Sequence, residues 1–353
     1  MYYDKLITGV AYHGNRILRH VDEDMRDIVR HNMNMVCHMY SHNDWDRHKK
    51  VMPDIFKCSE YYGLEVWVDN WGLAGSPGDK SHFLCYHPEA HQVYANGEID
   101  PVNVCFNSAD FVQFTKDWLD TVREAGAKKI FWDEPRYATK TLADGTEIMA
   151  CHCENCKKLF RERFGYEMPC ENSDDVKEFR ISSLCHYFDI VTAYAASLGM
   201  ENSTCVMLHT LDYTTRLIEL PHLDDFGTDP YPHTKVHPEH DPYDYVYTAT
   251  RDTIVLAEKY RKKNHLWIQA YDFLAGTEDQ TILQADAAYD AGARTIVAWS
   301  YRGGESNSYR ADCCERTWEV LGEAMGRIRS RHFDAVRAER LKKYQEMKQE
   351  KHR

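Results

Sequence analysis

Eight short β-rich runs recur along this chain with helical stretches between them, and that alternation limits the fold more than any other feature. The runs are LITGVAYH (6–13), NMVCHMY (34–40), LEVWVDN (64–70), KKIFWDE (128–134), STCVMLH (203–209), DDFGTD (224–229), HLWIQAYD (265–272) and RTIVAWSY (294–301). Helical patterns cover 22–33, 45–62, 109–125, 176–198, 243–262, 279–291 and 312–328. Between the fifth and sixth runs, residues 214–220 leave room for only about two turns. Strands alternating with helices predict a parallel sheet covered by helices. Eight such units in 353 residues predict a closed (β/α)8 TIM barrel rather than an open doubly wound sheet. Three strands follow a Gly-containing turn (YYGLEVW, EAGAKKIF, DAGARTIV), where glycine suits the left-handed residue that ends a helix. Residues 1–330 therefore read as one barrel domain and 331–353 as a charged C-terminal helix.

Charge narrows the partners. Lys and Arg number 43 against 56 Asp and Glu, a formal net charge of −13, although the last 23 residues are locally basic at +4. An acidic body argues against a nucleic-acid or anionic-membrane surface. No apolar run approaches the ~20 residues of a membrane span, and MYYDKLITG lacks a basic and then apolar leader. Twelve cysteines then read as reduced thiols or metal ligands rather than disulfides. The expectation is a soluble cytoplasmic protein with a small-molecule partner, compatible with a homo-oligomer.

Polar and aromatic residues gather at the strand ends, where barrels build their active sites. They are Tyr12, His13, His38, Asp69, Asn70, Trp71, His209, Tyr231, Gln269, Tyr271, Trp299, Tyr301 and Arg302, all read as substrate-binding. Aromatic faces stack on sugar rings, and carboxylates, amides and imidazoles read hydroxyls, so a carbohydrate is the expected substrate. Two long connections, 71–107 and 135–175, leave the same end of the barrel as candidate walls.

FWDEPRY is the sharpest element. Asp133 and Glu134 end the fourth strand, and strand alternation lets only one of them point strictly inward. Cleaving a glycosidic bond needs two carboxyls, one on each side of it. A second element is C-x-C-x-x-C at Cys151, Cys153 and Cys156, with Cys105 earlier in VCFNS and His152 as a competing donor. Four thiolates suit one tetrahedral structural Zn2+ that would pin the two long loops together. The other eight cysteines read mostly as small buried hydrophobes.

On these residues the chain resembles the catalytic barrel of family 42 β-galactosidases. VCFNS and CHCENCKKLF are similar to that family's zinc-binding cysteines, WDEP to its acid/base strand, DDFGTDPYP to its sixth strand and VAWSYRGGES to its eighth. The resemblance implies an O-glycosyl hydrolase with Glu134 as acid/base. It also implies a nucleophilic Glu at the end of the seventh strand, where this chain has Gln269, an amide that cannot serve.

Two partners for Glu134 follow. Asp229 in TDPYP sits on a loop stiffened by Pro230 and Pro232, an arrangement similar to barrel α-galactosidases that place a nucleophilic Asp after strand four. Asp272, three residues beyond Gln269, is the alternative. Two other readings stay open. One is a metal-dependent sugar isomerase using His13, His38, Asp69, Glu134, His209 and Asp229. The other is a catalytically inactive saccharide-binding barrel.

Overall fold

The computed structural model describes residues 5–73, 81–208 and 212–351. Its strands are β1 (Ile7–Tyr12), β2 (Met35–Met39), β3 (Glu65–Asp69), β4 (His91–Val93), β5 (Ile99–Val104), β6 (Lys129–Trp132), β7 (Thr139–Thr141), β8 (Glu147–Met149), β9 (Glu201–Cys205), β10 (Asp225–Thr228), β11 (Lys263–Gln269) and β12 (Thr295–Trp299). Its helices are α1 (Leu18–Arg30), α2 (His42–His48), α3 (Met52–Tyr61), α4 (Phe83–Tyr86), α5 (Ala109–Glu124), α6 (Glu154–Phe164), α7 (Asp174–Ser197), α8 (Pro242–Tyr260), α9 (Gln280–Ala291) and α10 (Cys314–Lys351). Eight strands close a parallel barrel in the order β1-β2-β3-β6-β9-β10-β11-β12, and β12 returns to β1 with Ile7 opposite Thr295. The chain is a (β/α)8 TIM barrel.

Several boundaries differ from the sequence reading. The helix expected over 45–62 is two, α2 and α3, because Pro53 lacks an N–H and fits a helix start rather than an interior. The weak link before β10 is a 3-10 turn, Asp212–Glu219. Both long connections carry structure of their own: the β4–β5 hairpin in one, the β7–β8 hairpin and α6 in the other. β4, β7 and β8 are three residues long, too short to stand out as a period, and β5 is interrupted by Pro101. Among the described residues no helix is long and apolar enough to cross a membrane.

Alternation along each strand sorts side chains between two cores. Ala11, Met35, Cys37, Met39, Trp67, Phe131, Cys205, Trp267 and Val297 fill the barrel interior. Val10, Tyr12, Val36, Tyr40, Val68, Ile130 and Trp132 face the helices in a second, larger cluster. Toward the N-terminal end of the interior, Lys129 Nζ lies 2.5 Å from Asp225 Oδ2 and 3.7 Å from the Trp67 ring centroid. His265 Nδ1 lies 2.8 Å from Asp225 Oδ1. Burial opposes the charge on Asp225, but Lys129 and His265 outweigh it and hold the carboxyl far below its ordinary range. Gly227 makes room for this group, since a Cβ there would lie 2.3 Å from His265 Nε2.

The last helix seals the seam. Trp318 Nε1 donates to Asp27 Oδ2 at 2.9 Å, Asn32 Nδ2 to the Gly322 carbonyl at 3.0 Å, and Arg329 Nη1 to Thr8 Oγ1 at 3.2 Å. Gly322 and Gly326 permit the approach, because a Cβ at either would strike His31 or Asn32. From there α10 continues unbroken through the charged stretch that begins at residue 331.

Candidate active site

The alternation that puts Trp67 and Phe131 inside the barrel carries Asp69 and Asp133 inside two residues later. Asp69 is fully buried; its Oδ1 accepts from the Trp71 backbone N–H at 2.8 Å, while Oδ2 has no partner among the described residues. Asp133 is anchored through its backbone N–H, which donates to Asn70 Oδ1 at 3.1 Å. Glu134 breaks the alternation. Its φ of 30° lies in the left-handed region, an uncommon conformation for a residue with a side chain. That turn brings a second consecutive carboxyl into the mouth, where it meets the Arg136 guanidinium on one side and Asp229 on the other.

Asp229 follows Gly227 on the inward face beyond β10. It lies beside the Glu134 carboxyl and the Cys205 thiol, and its Oδ1 has no hydrogen-bond partner among the described residues. Four carboxyls thus crowd one small volume, and like charges at short range cannot all ionise. Burial first, then the neighbouring Glu134 charge, push the pKa of Asp229 well above the ordinary carboxylate range. Burial and Glu134 do the same to Asp133 against the pull of Arg136. Burial and Asp133 do so to Asp69. Carboxyls whose pKa is raised hold their protons to higher pH, the raw material of general acid catalysis.

Two aromatic groups flank the carboxyls. His13, Trp71 and Trp299 pack edge to face or tilted, with centroids 4.8–5.2 Å apart. Opposite, Tyr231 and Tyr271 meet at 5.5 Å and 89°, with His233 5.8 Å from Tyr231. Burial lowers His13 to about 4, so its imidazole is neutral at pH 7 and offers a hydrogen bond rather than a charge. His233, absent from the sequence reading, sits at φ 46° in the loop after β10, and only its place two residues past Tyr231 could have suggested it.

Other expected site residues are turned elsewhere. Tyr12 faces the helical layer, its hydroxyl 2.5 Å from Asp24 Oδ2. His38 is fully buried behind β2, with Nε2 2.9 Å from Ser59 Oγ. Tyr301 bonds Asp24 and packs on Trp318, while Arg302 pairs with Asp27, Glu305 and Glu315. The reason is parity. These positions fall on the alternate, outward face of their strands or beyond a turn. Gln269 is inside, but its amide is committed to backbone: Oε1 accepts from His233 N–H at 3.0 Å and Nε2 donates to the Tyr271 carbonyl at 3.0 Å. These two bonds tie Gln269 to the backbone at His233 and Tyr271. Asp272 is engaged by Lys235 at 2.7 Å. His209 lies outside the described residues. Among the described residues, no three His, Cys, Asp or Glu side chains at this mouth converge within 4.8 Å.

Next to the mouth, Cys105, Cys151, Cys153 and Cys156 bring four buried thiols within 4.8 Å of one another. Cys105 Sγ lies 3.4 Å from Cys156 and 3.7 Å from Cys153, against the about 3.8 Å expected around a tetrahedral zinc with bonds of about 2.3 Å. Asn107 Nδ2 donates to Cys156 Sγ at 3.3 Å. His152 turns away to the Pro169 carbonyl at 2.9 Å and does not compete. Of the remaining cysteines only Cys37 and Cys205 are fully buried; Cys85, Cys170 and Cys313 are exposed, contrary to the expectation of mostly buried thiols.

No protein-family model matches the chain, and neither does the sequence of any curated protein. Solved structures do match in shape. The catalytic domain of a β-amylase from Paenibacillus polymyxa superposes with a TM-score of 0.63 at 10% identity, over 84% of this chain and 92% of that one. A GH5_18 protein from Streptomyces cattleya, solved in complex with GlcNAc, gives 0.60 at 12% identity, over 92% and 80%. A D-allulose 3-epimerase from Methylomonas sp. gives 0.50 at 10% identity, over 93% and 98%. The chain therefore shares the barrel fold of glycoside hydrolases and of sugar epimerases.

Proposed function

We propose that the protein hydrolyses a glycosidic bond, and the observation that carries this reading is the Glu134–Asp229 pair at the C-terminal mouth of the barrel. Two adjacent carboxyls resist ionising together, so a proton stays with one of them. Asp229 keeps it, because burial and its neighbours raise its pKa, while Glu134 faces a guanidinium. The electrostatics thus favour Asp229 as the general acid and Glu134 as the attacking carboxylate, the reverse of what resemblance to family 42 implied. Carboxyls this close suit the about 5–5.5 Å of retaining enzymes better than the about 6.5–9.5 Å of inverting ones. In the first step a Glu134 oxygen bonds the anomeric carbon as Asp229 protonates the departing oxygen. Water then enters, Asp229 takes its proton, and the sugar leaves with its configuration retained. Asp133 and Asp69, whose pKa values are also raised, flank the pair in a low-dielectric setting, and Trp71, Trp299, Tyr231 and Tyr271 offer ring faces. The fold shared with a β-amylase and a GH5_18 protein agrees with this reading.

The cysteine cluster belongs to the same reading as a structural Zn2+ site. A closed four-thiolate shell leaves no open position for chemistry. It would tie the β4–β5 connection to the start of α6. The absence of disulfides among the cysteines fits a reducing compartment such as the cytoplasm.

Turnover of paired substrates tests the roles. Asp229→Asn should keep activity on aryl glycosides with good leaving groups and lose it on alkyl glycosides, with azide restoring the rate as a retained glycosyl azide. Glu134→Gln should abolish both. Equal hydrolysis by wild type and both variants would refute the assignment.

A further inference from the structure

Past His233 the loop after β10 leaves the mouth and runs to α8 as HTKVHPEHD (233–241). Its first part is fastened to the barrel. His233 N–H donates to Gln269 Oε1 at 3.0 Å, Thr234 Oγ1 to Gln280 Oε1 at 2.8 Å, and Lys235 Nζ to Asp272 Oδ1 at 2.7 Å. Its second part carries His237, Glu239 and His240, whose ligand atoms all lie within 4.8 Å of one another.

The hydrogen bonds of His240 set its tautomer. Its Nδ1 lies 2.8 Å from the Pro232 carbonyl oxygen, and a carbonyl only accepts, so Nδ1 carries the proton. In the neutral ring that leaves a lone pair on Nε2, which lies 3.9 Å from Glu239 Oε1. An imidazole held by a backbone carbonyl through one nitrogen, with the other free to bind, is the usual arrangement of a metal-ligating histidine. Glu239 Oε1 is also 3.2 Å from His237 Nδ1, so one carboxylate oxygen stands between the two imidazoles. Donors around a tetrahedral zinc with bonds of about 2.0–2.2 Å are about 3.3–3.6 Å apart, between these two spacings. The Tyr245 ring backs His240 at 4.5 Å, and the His237 ring is stacked on it with centroids 4.9 Å apart. Coordination then requires the exposed His237 to swing out of that stack while His240 stays in place.

Two imidazoles and one carboxylate suit Zn2+ and its first-row neighbours, whereas Mg2+ and Ca2+ take oxygen shells. His42, Asp46 and His82 also converge within 4.8 Å. There His42 Nδ1 faces the Ser81 hydroxyl at 2.6 Å, which can donate or accept and leaves the tautomer open.

We propose that His237, Glu239 and His240 form a site for zinc or a similar transition ion, separate from the cysteine cluster, that braces the far end of the loop bearing Asp229. Water completes the shell. The ion fastens the second part of the loop as side-chain bonds fasten the first. Three ligands at the surface hold zinc more weakly than four buried thiolates, so purified protein keeps a cysteine-bound zinc and loses this one. The inference does not depend on the glycosidase reading.

Calorimetric titration of the full chain with Zn2+ tests the site. The protein is first loaded with one equivalent of Zn2+ and desalted, so that the four cysteines are satisfied beforehand. One further equivalent should bind with a Kd of about 100 µM or tighter, and millimolar Mg2+ or Ca2+ should not displace it. His237→Ala, Glu239→Gln and His240→Gln should each weaken it about tenfold or more. The same zinc should slow tryptic cleavage after Lys235 about fivefold in wild type and not in His237→Ala. A further equivalent weaker than about 100 µM, or one that all three variants bind as tightly as wild type, would overturn the site. Binding without slower cleavage would overturn the brace.

Discussion

The carboxyl of Asp229 lies beside that of Glu134 across the mouth, although β6 and β10 are separated by β9. Two carboxyls this near resist ionising together, and the pKa of Asp229 is raised. Protonation of this pair is therefore the variable that activity and stability should both follow.

The first expected outcome is a bell-shaped pH dependence of kcat/KM on an activated aryl glycoside. The rate should fall as pH rises through the raised pKa of Asp229 and fall again as pH drops and the partner carboxylate gains a proton. In Asp229→Asn the high-pH limb should vanish. A high-pH limb that survives unchanged in that variant assigns the acid to another group.

Stability should depend on the same group. A carboxyl whose folded pKa is raised favours the folded state fully below its unfolded value of about 3.9, and that contribution is lost as pH rises through the folded pKa. Asp229→Asn should therefore raise the melting temperature at pH 7 by at least about 2 °C and change little near pH 3. Thermal unfolding at the two pH values checks the sign.

Lys129 and Asp225 make the opposite case. Lys129→Met leaves a buried carboxylate without its main counter-charge and should cost about 3–5 kcal/mol, with Asp225→Asn in the same chain recovering part of it. Because Asp225 has a depressed folded pKa, its contribution is present above about 3.9 and lost as pH falls through the folded value. Urea unfolding at pH 7 of the single and double variants measures this, and a Lys129→Met loss below about 1 kcal/mol would contradict the account.

Elemental analysis of purified protein should find about one zinc per chain, lost in Cys105→Ser. Limited proteolysis of that variant should first cut the connections around β4–β5 and β7–β8. Metal-free protein with unchanged proteolysis would remove the zinc reading.

Gln269→Glu tests whether this position is a displaced nucleophile. The carboxylate cannot donate to the Tyr271 carbonyl, so the change should cost about 1–3 kcal/mol and add no turnover. A gain in activity would show that the seventh strand still addresses the substrate.

Much of the barrel was legible because eight parallel strands repeat a pattern that survives loose boundaries. The cysteine grouping was legible too, since C-x-C-x-x-C is a local spacing and Cys105 enters from a neighbouring connection. The mouth was legible only by halves. Alternation places Asp69, Asp133 and Trp71 inside, but the same rule places Tyr12 and His38 outside, and a polar residue at a strand end does not announce its side. The pairing of Glu134 with Asp229 depends on one left-handed backbone angle, which sequence does not display.

The seam sealed by α10 has a consequence for how the chain comes to be folded. Ile7 finds its partner only at Thr295, and the helix covering that join does not begin until Cys314. During synthesis the first strand must wait, one edge unpaired, for nearly the whole polypeptide to follow. A half-made barrel exposes two open sheet edges and an uncovered apolar interior, the surfaces by which nascent chains aggregate. Closure is then a single long-range event after translation, slow because its loop spans almost the entire chain, and the last helix acts as the latch.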